Sequence, residues 1–306
     1  MDSRSTTSRL STSSEHEGLD TKRVEGAYVV PRDLRPFALI PLASKSSWQE
    51  LIAKKLTIAG PARCPVCGRL TLIVGIRSNL RESCRCIRCG STNRQRQLAF
   101  VICSVVASAT GARVRSLKDL HRLDGYVVYN TEAGGAIHRQ LVGMENYISS
   151  EYFGESYEPG EIVRGVMHQD LMRLGFGDET VDLVISSDVF EHIPDPYRAH
   201  REVFRVLKPG GRHIFTVPFH PGQILDEIRT FIDLRGKVVL VKEPIYHRDP
   251  IHQEGALVHR IFALEMLVNL ARIGFVIRMY HLHKPWLGIF GAFALVFEAV
   301  KPAAVA

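Results

Sequence analysis

The clearest chemistry in this 306-residue chain lies in two like cysteine pairs. Cys64-x2-Cys67 is followed after eighteen residues by Cys86-x2-Cys89, and each pair ends in glycine (CPVCG and CIRCG). Thiolates at this spacing on a tight turn point the same way, and the glycine lets backbone amides turn toward the sulfurs. Two such knuckles supply four soft ligands in a tetrahedron, which Zn2+ accepts. Four protein ligands leave no open position, so the expected zinc is structural. Cys84 is a spare that displaces Cys86 only at the loss of the pair symmetry. Cys103, on an apolar helical face, reads as a small core residue.

Arginine crowds the same segment. Residues 61–100 hold eight Arg and one acid, Glu82. Residues 1–125 carry 21 Lys/Arg against 10 Asp/Glu, and residues 126–306 carry 18 against 22, so the net +7 belongs to the first part. Arg63, Arg69, Arg77, Arg81, Arg85, Arg88, Arg94 and Arg96 can form a phosphate-binding face. Against this, no aromatics are interleaved for stacking on bases. Part of the charge balances the net −2 of zinc on four thiolates. Packing or an acidic substrate is the competing role.

A second concentration of chemistry runs from Val181 to Phe219 (VDLVISSDVFEHIPDPYRAHREVFRVLKPGGRHIFTVPF). A strand ends at Ser186–Ser187, a loop carries Asp188, Glu191 and His192, and an amphipathic helix follows. The helix stops at Lys208-Pro209-Gly210-Gly211, and a buried strand runs to Pro218. This order resembles the class I S-adenosylmethionine-dependent methyltransferases of the type 11 kind. There, DLV(I/V)SxxVxEH, then RVLKPGG and a strand, recur around the fourth and fifth strands. The resemblance covers 126–219 closely and 262–301 more loosely.

The resemblance implies an α/β fold: a Rossmann-like seven-stranded sheet, mostly parallel with an antiparallel last strand. It implies S-adenosyl-L-methionine as cofactor, seated outside the carboxyl ends of the strands. The first strand then opens into a small-residue turn, Glu132-Ala133-Gly134-Gly135, whose amides receive the methionine carboxylate. The family pattern is an acid followed by GxGxG; here Thr131 and Ala133 stand where glycine is commoner. Glu151, nineteen positions after Glu132, takes the ribose hydroxyls. Asp170 takes the adenine amino group and the Leu171 amide a ring nitrogen; Asp170 alternatively caps the loop after it. Ser186, Ser187 and Asp188 flank the sulfonium. The cysteine pairs, the Cys89-Gly-Ser-x-x-Arg94 run and the TEAxG-type loop are similar to a bacterial subgroup with an N-terminal zinc-ribbon-like module. Its members are taken to act on glycans and related surface or secondary metabolites.

Transfer from a sulfonium is an in-line displacement that needs alignment and, for a hydroxyl acceptor, a base. His192, His220 and His252 are the candidate catalytic residues, with His247 a further histidine of the same region; no tight HxxxH spacing marks a second metal among them. The reading that follows is transfer to an oxygen of a small-molecule or glycan acceptor. Two alternatives stay open: an RNA methyltransferase gripping phosphates through the basic module, and a methyltransferase-fold binding protein that has lost catalysis with its glycines.

These residues need elements to hold them. Candidate strands are Tyr126–Asn130, Tyr147–Ser150, Val163–His168, Val181–Ser186, Arg212–Pro218, Phe275–Leu282 and Phe293–Lys301. Candidate helices are Arg94–Ser108, Ala136–Leu141, Pro196–Leu207 and Ala263–Ile273, the last stopped by Gly274. The expected organisation is a disordered leader (1–25), a strap and helix opening near Ser46 or Ser47 before Trp48 (26–60), the zinc module with its linking helix (61–108), and the catalytic domain (120–306) with an insertion (219–255). Apolar residues at 45% and charged residues at 23% are ordinary globular values. The Ser/Thr-rich start lacks an apolar run, and the stretch from Trp286 to Val300 is shorter than the roughly 20 residues of a spanning helix. A soluble cytoplasmic protein is the expectation, where clustered thiols favour metal over disulfides.

Overall fold

The computed structural model describes residues 58–247, 251, 254–291 and 295–303. The expected leader, nearly all of the strap with its helix at Trp48, and His252 lie outside the described residues. Three antiparallel strands hold the cysteine pairs: β1 (Ile58–Arg63), β2 (Leu70–Val74) and β3 (Arg85–Cys86). Helix α1 (Asn93–Thr110) follows. Its N-cap is Thr92, whose side chain accepts from the Gln95 amide while the Gln95 side chain accepts from the Thr92 amide.

The main sheet is built from β4 (Val128–Asn130), β5 (Tyr147–Glu151), β6 (Ile162–Val163), β7 (Val166–His168), β8 (Val181–Ser187) and β9 (Leu207–Thr216), completed late in the chain. Between β9 and the closing strands, the insertion forms short antiparallel pieces: β10 (Glu227–Ile228), β11 (Thr230–Ile232), β12 (Val238–Leu240), β13 (Tyr246–His247), β14 (Ala256–Leu257) and β15 (Arg260–Ile261). The closing strands are β16 (Val276–His281) and β17 (Leu295–Val300). The spatial order is β16-β17-β9-β8-β4-β5-β7-β6. Pairs from β7 to β9 through β5, β4 and β8 are parallel, and β17 runs antiparallel to both β9 and β16. Six of the seven expected strands are present. The expected strand Val163–His168 is a hairpin instead, turned by Arg164 (φ 51°) and Gly165 (φ 80°), and its first arm adds β6 at the edge.

The sheet is covered on both faces, as a parallel sheet requires. Helices α3 (Pro196–Val206) and α4 (Leu264–Ile273) pack on one face with Val184, Phe215 and Phe297. The other face, through Leu183, Ile185, Ile214 and Val296, shares one core with α1, with α2 (Gly135–Leu141) and with the cysteine module. The module is therefore built onto the sheet. Its Arg96 is fully buried and donates to the carbonyls of Ser91, Cys84 and Gly288 at 2.5, 2.5 and 2.9 Å. Asn93 exchanges two hydrogen bonds with the Phe290 backbone, 2.8 and 3.0 Å long.

In the RVLKPGG segment the helix ends at Val206 and β9 begins at Leu207, so the Lys208–Gly211 turn lies inside the strand as an irregularity. A Cβ at Gly211 would meet the Lys208 carbonyl at 2.7 Å, which explains the glycine there.

Candidate functional site

The two cysteine knuckles are copies of one turn. Gly68 N–H donates to the Cys64 carbonyl and Gly90 N–H to the Cys86 carbonyl, both at 2.8 Å and both with the glycine at φ 73°. Arg63 donates to the Gly68 carbonyl and Arg85 to the Gly90 carbonyl, at 3.3 and 3.2 Å. The sulfurs of Cys64, Cys67, Cys86 and Cys89 all lie within 4.8 Å of one another. Cys64 and Cys89 are 3.8 Å apart, and tetrahedral sulfurs at a Zn–S bond of about 2.3 Å stand about 3.8 Å apart. The Cys64 thiol beside it brings Cys89 down to about 4. The donor set fits zinc. Cys84 is buried beside Ser83 outside the cluster, and Cys103 is in the core, as its helical position predicted.

At the carboxyl ends of the parallel strands, the first loop and the second strand are tied together: Glu151, the last residue of β5, accepts from the Ala133 amide at 2.8 Å. The loop is open to a ligand. A Cβ at Gly134 would meet nothing within 4 Å, and one at Gly135 (φ +76°) only the Gln95 side chain at 3.7 Å. Asn130 Oδ1 and Thr131 Oγ1, at the end of β4, are buried without hydrogen-bond partners. Burial pushes the Glu132 carboxyl up to about 8 against the pull of Arg94. Small residues, open glycines, orphaned acceptors and two acids fit a polar ligand with ribose and amino-acid ends. Past β7, Asp170 accepts from the Met172 amide at 2.8 Å, which is the loop-capping geometry, and Leu171 is buried.

Two arginines of the cysteine module enter this site. Arg81 makes a two-pronged ion pair with Asp188, and Arg94 donates to Ser187 Oγ. Arg94 also binds Glu82 at 2.6 Å and lies 3.4 Å from Asp188. Asp188 takes a left-handed conformation (φ 58°) and accepts from Thr216 Oγ1 at 2.9 Å. Burial pushes its carboxyl up, but Arg94 and Arg81 outweigh this and hold it well below the usual carboxylate range. Spacing gave no sign of these contacts, since the partners stand 107 and 93 positions apart. Five of the eight arginines, Arg63, Arg69, Arg77, Arg85 and Arg88, stay exposed.

Beyond Asp188, the EH pair is held against the insertion. His192 Nδ1–H donates to the Leu257 carbonyl at 2.8 Å, so its Nε2 faces His247 Nδ1 at 3.2 Å. Glu191 is fully buried, and neither carboxylate oxygen has a hydrogen-bond partner. Ser186 and His213 are also buried, bonded to each other at 2.9 Å within the core. His220 is exposed, with its amide donating to the Phe262 carbonyl, and stands outside the cluster formed by Glu191, His192 and His247.

Among known proteins, residues 138–215 match the family described as "Methyltransferase domain". An uncharacterized methyltransferase of Mycobacterium marinum is 30% identical over 115 residues, 37% of this chain and 44% of that protein. Another, from Mycobacterium sp. strain KMS, is 41% identical over 69 residues, 20% of this chain and 27% of that protein. The chain thus spans less than half the length of these curated relatives. Among solved structures, an S-adenosylmethionine-dependent methyltransferase from Mesorhizobium loti aligns over 58% of this chain and 91% of its own, with 19% identity and a TM-score of 0.36. One from Methanosarcina mazei aligns over 60% and 97%, with 20% identity and a TM-score of 0.34.

Proposed function

We propose that this chain, which carries a methyltransferase domain of the S-adenosylmethionine-dependent class, moves a methyl group from that cofactor to an oxygen of a small-molecule or glycan acceptor. The observation that carries the reading is the bond from the Ala133 amide to Glu151, which ties the first loop to the end of the second strand. In this reading Gly134 and Gly135 receive the methionine carboxylate on backbone amides, with Glu132 and Arg94 beside it. Glu151 receives the ribose hydroxyls, and Asp170 and Leu171 stand at the adenine end. Ser187 and Asp188 flank the reacting centre.

When bound, the cofactor supplies an electrophilic methyl on a sulfonium, with a neutral thioether as leaving group. The chain's own part is alignment, exclusion of water and removal of one proton. The loop and strand-end residues would hold acceptor and cofactor in line, and the acceptor proton would leave to water beside the Glu191–His192–His247 group. Arg81 and Arg94 close the site from the module side, which gives the module a part in positioning. We infer that its four thiols hold a structural zinc, and metal-held thiols fit a reducing compartment such as the cytoplasm. Among the described residues no helix is long and apolar enough to cross a membrane.

The RNA alternative draws on fewer arginines than composition implied, because Arg81, Arg94 and Arg96 are turned inward. The test is incubation with methyl-deuterated cofactor and, in parallel, RNA and a panel of glycans and hydroxylated metabolites, read by mass spectrometry. Label on a glycan or metabolite oxygen supports the proposal. Label on RNA overturns the acceptor, and cofactor binding without transfer to any acceptor supports the binding-protein alternative.

A further inference from the structure

Glu191, His192 and His247 form a triangle of which hydrogen bonding explains one edge, His247 to His192. His192 Nε2 and His247 Nδ1 are 3.2 Å apart, and each lies near Glu191 Oε1, at 3.7 and 3.6 Å. The two edges to the carboxylate are too long for hydrogen bonds. Donors on a tetrahedron with metal bonds of about 2.1 Å stand about 3.4 Å apart, in the middle of the observed edges.

The carboxylate supplies an independent observation. Glu191 is 0% exposed and neither oxygen is in a hydrogen bond, with the His192 and His247 imidazoles as its neighbours. A buried carboxylate in that state is costly unless a cation meets it. One imidazole is already aimed. The Leu257 carbonyl takes His192 Nδ1–H and leaves Nε2 as a donor toward the centre of the triangle. Outer hydrogen bonds of this kind fix the tautomer of metal-bound histidine. Leu257 pairs with Tyr246 across β13 and β14, so one hairpin orients His192 and carries His247. The His259 amide in turn binds the Glu191 carbonyl at 2.8 Å. The inserted segment therefore completes a set of three ligands at the mouth of the cofactor site, one short turn beyond Asp188.

We propose that Glu191, His192 and His247 bind a divalent first-row cation such as Mn2+, distinct from the metal of the four thiols. Two imidazoles and one carboxylate are a borderline-to-hard donor set, and three protein ligands leave a position open. An acceptor hydroxyl fits that position. Coordination of its oxygen lowers the hydroxyl pKa, so the proton leaves to water as the oxygen meets the methyl carbon. This step rests on the methyltransferase reading; the metal site itself does not.

The test uses the full chain, treated with a mild chelator, dialysed and titrated with Mn2+ alone. Binding is read by electron paramagnetic resonance, a probe that the soft thiol site disfavours. The expected result is one Mn2+ bound per chain in the wild type, and at least about tenfold weaker binding in both His247→Ala and Glu191→Gln. Circular dichroism and zinc content, unchanged in both variants, show that the fold and the thiol site are intact. Absence of a bound Mn2+, or binding undiminished in both variants, overturns the site. Calorimetry with S-adenosylmethionine on the same samples separates the two ideas: metal binding without cofactor binding sinks the methyltransferase reading and leaves the site standing.

Discussion

The chain presents two clusters of donor atoms that differ in almost every respect. The four thiols come from two short turns with the same hydrogen bonds, and four sulfurs close their centre. The Glu191–His192–His247 group is assembled from a loop after β8 and a strand of the insertion, and has nitrogen and oxygen donors. A closed sulfur cage would hold a fold, whereas the proposed three-ligand site would do chemistry. The two are linked, because Arg81 and Arg94 of the sulfur module bind Asp188 and Ser187 between them.

The largest expected effect separates the clusters outright. Cys64→Ser removes one ligand from the cage, and structural zinc contributes on the order of 10 kcal/mol of folding energy in small zinc domains. Zinc measured by mass spectrometry is expected to fall from one to none per chain, with residues 58–92 becoming protease-sensitive. Retained zinc would show that Cys84 substitutes, and the symmetry of the two knuckles would lose its meaning.

The next effect tests the cofactor turn. Glu151→Ala deletes a charged acceptor worth about 1.5–3 kcal/mol in a hydrogen bond. The expected loss of S-adenosylmethionine affinity is roughly ten- to a hundredfold by calorimetry. An unchanged affinity would mean that Glu151 only braces the Ala133 loop. The link between module and site is probed by Arg94→Ala, for which we expect a loss of about 1–3 kcal/mol in cofactor binding. Arg94→Lys should not restore it, because a point charge cannot reach Ser187, Glu82 and Asp188 together.

A further effect is a pH slope. Glu132 titrates near 8 in the fold because it is buried, against an ordinary value of 4.5. The folded state thus binds a proton that the unfolded state has released. The stability this proton carries is present in full below pH 4.5 and falls as pH rises through about 8. Glu132→Gln should flatten that part of the melting-temperature profile between pH 5 and 9. An unchanged slope would place its origin in another group.

Local features were legible in the sequence and assembled ones were not. The cysteine pairs, six of the seven strands and the helix ended by Gly274 are set by spacing, alternation and turn residues within a few positions. That the Glu132–Gly135 turn and Glu151 adjoin was legible because the βα order fixes which strand ends meet. The hairpin in 163–168 was missed because Arg164, not only a glycine, takes the left-handed conformation. Arg81 carried no local mark, and Arg94 and His247 carried none for the partners they meet. The arginines read as a basic surface until folding placed Glu82 and Asp188 against them. His247 meets His192 only because the insertion folds back over the EH loop.

The central claim is that the Glu132–Gly135 turn and Glu151 seat S-adenosylmethionine. Calorimetric titration of the full chain with that cofactor tests it most directly. The account predicts one site per chain, with affinity falling at least about tenfold in Glu151→Ala. No heat at high protein concentration, from a sample with its zinc in place, would contradict it.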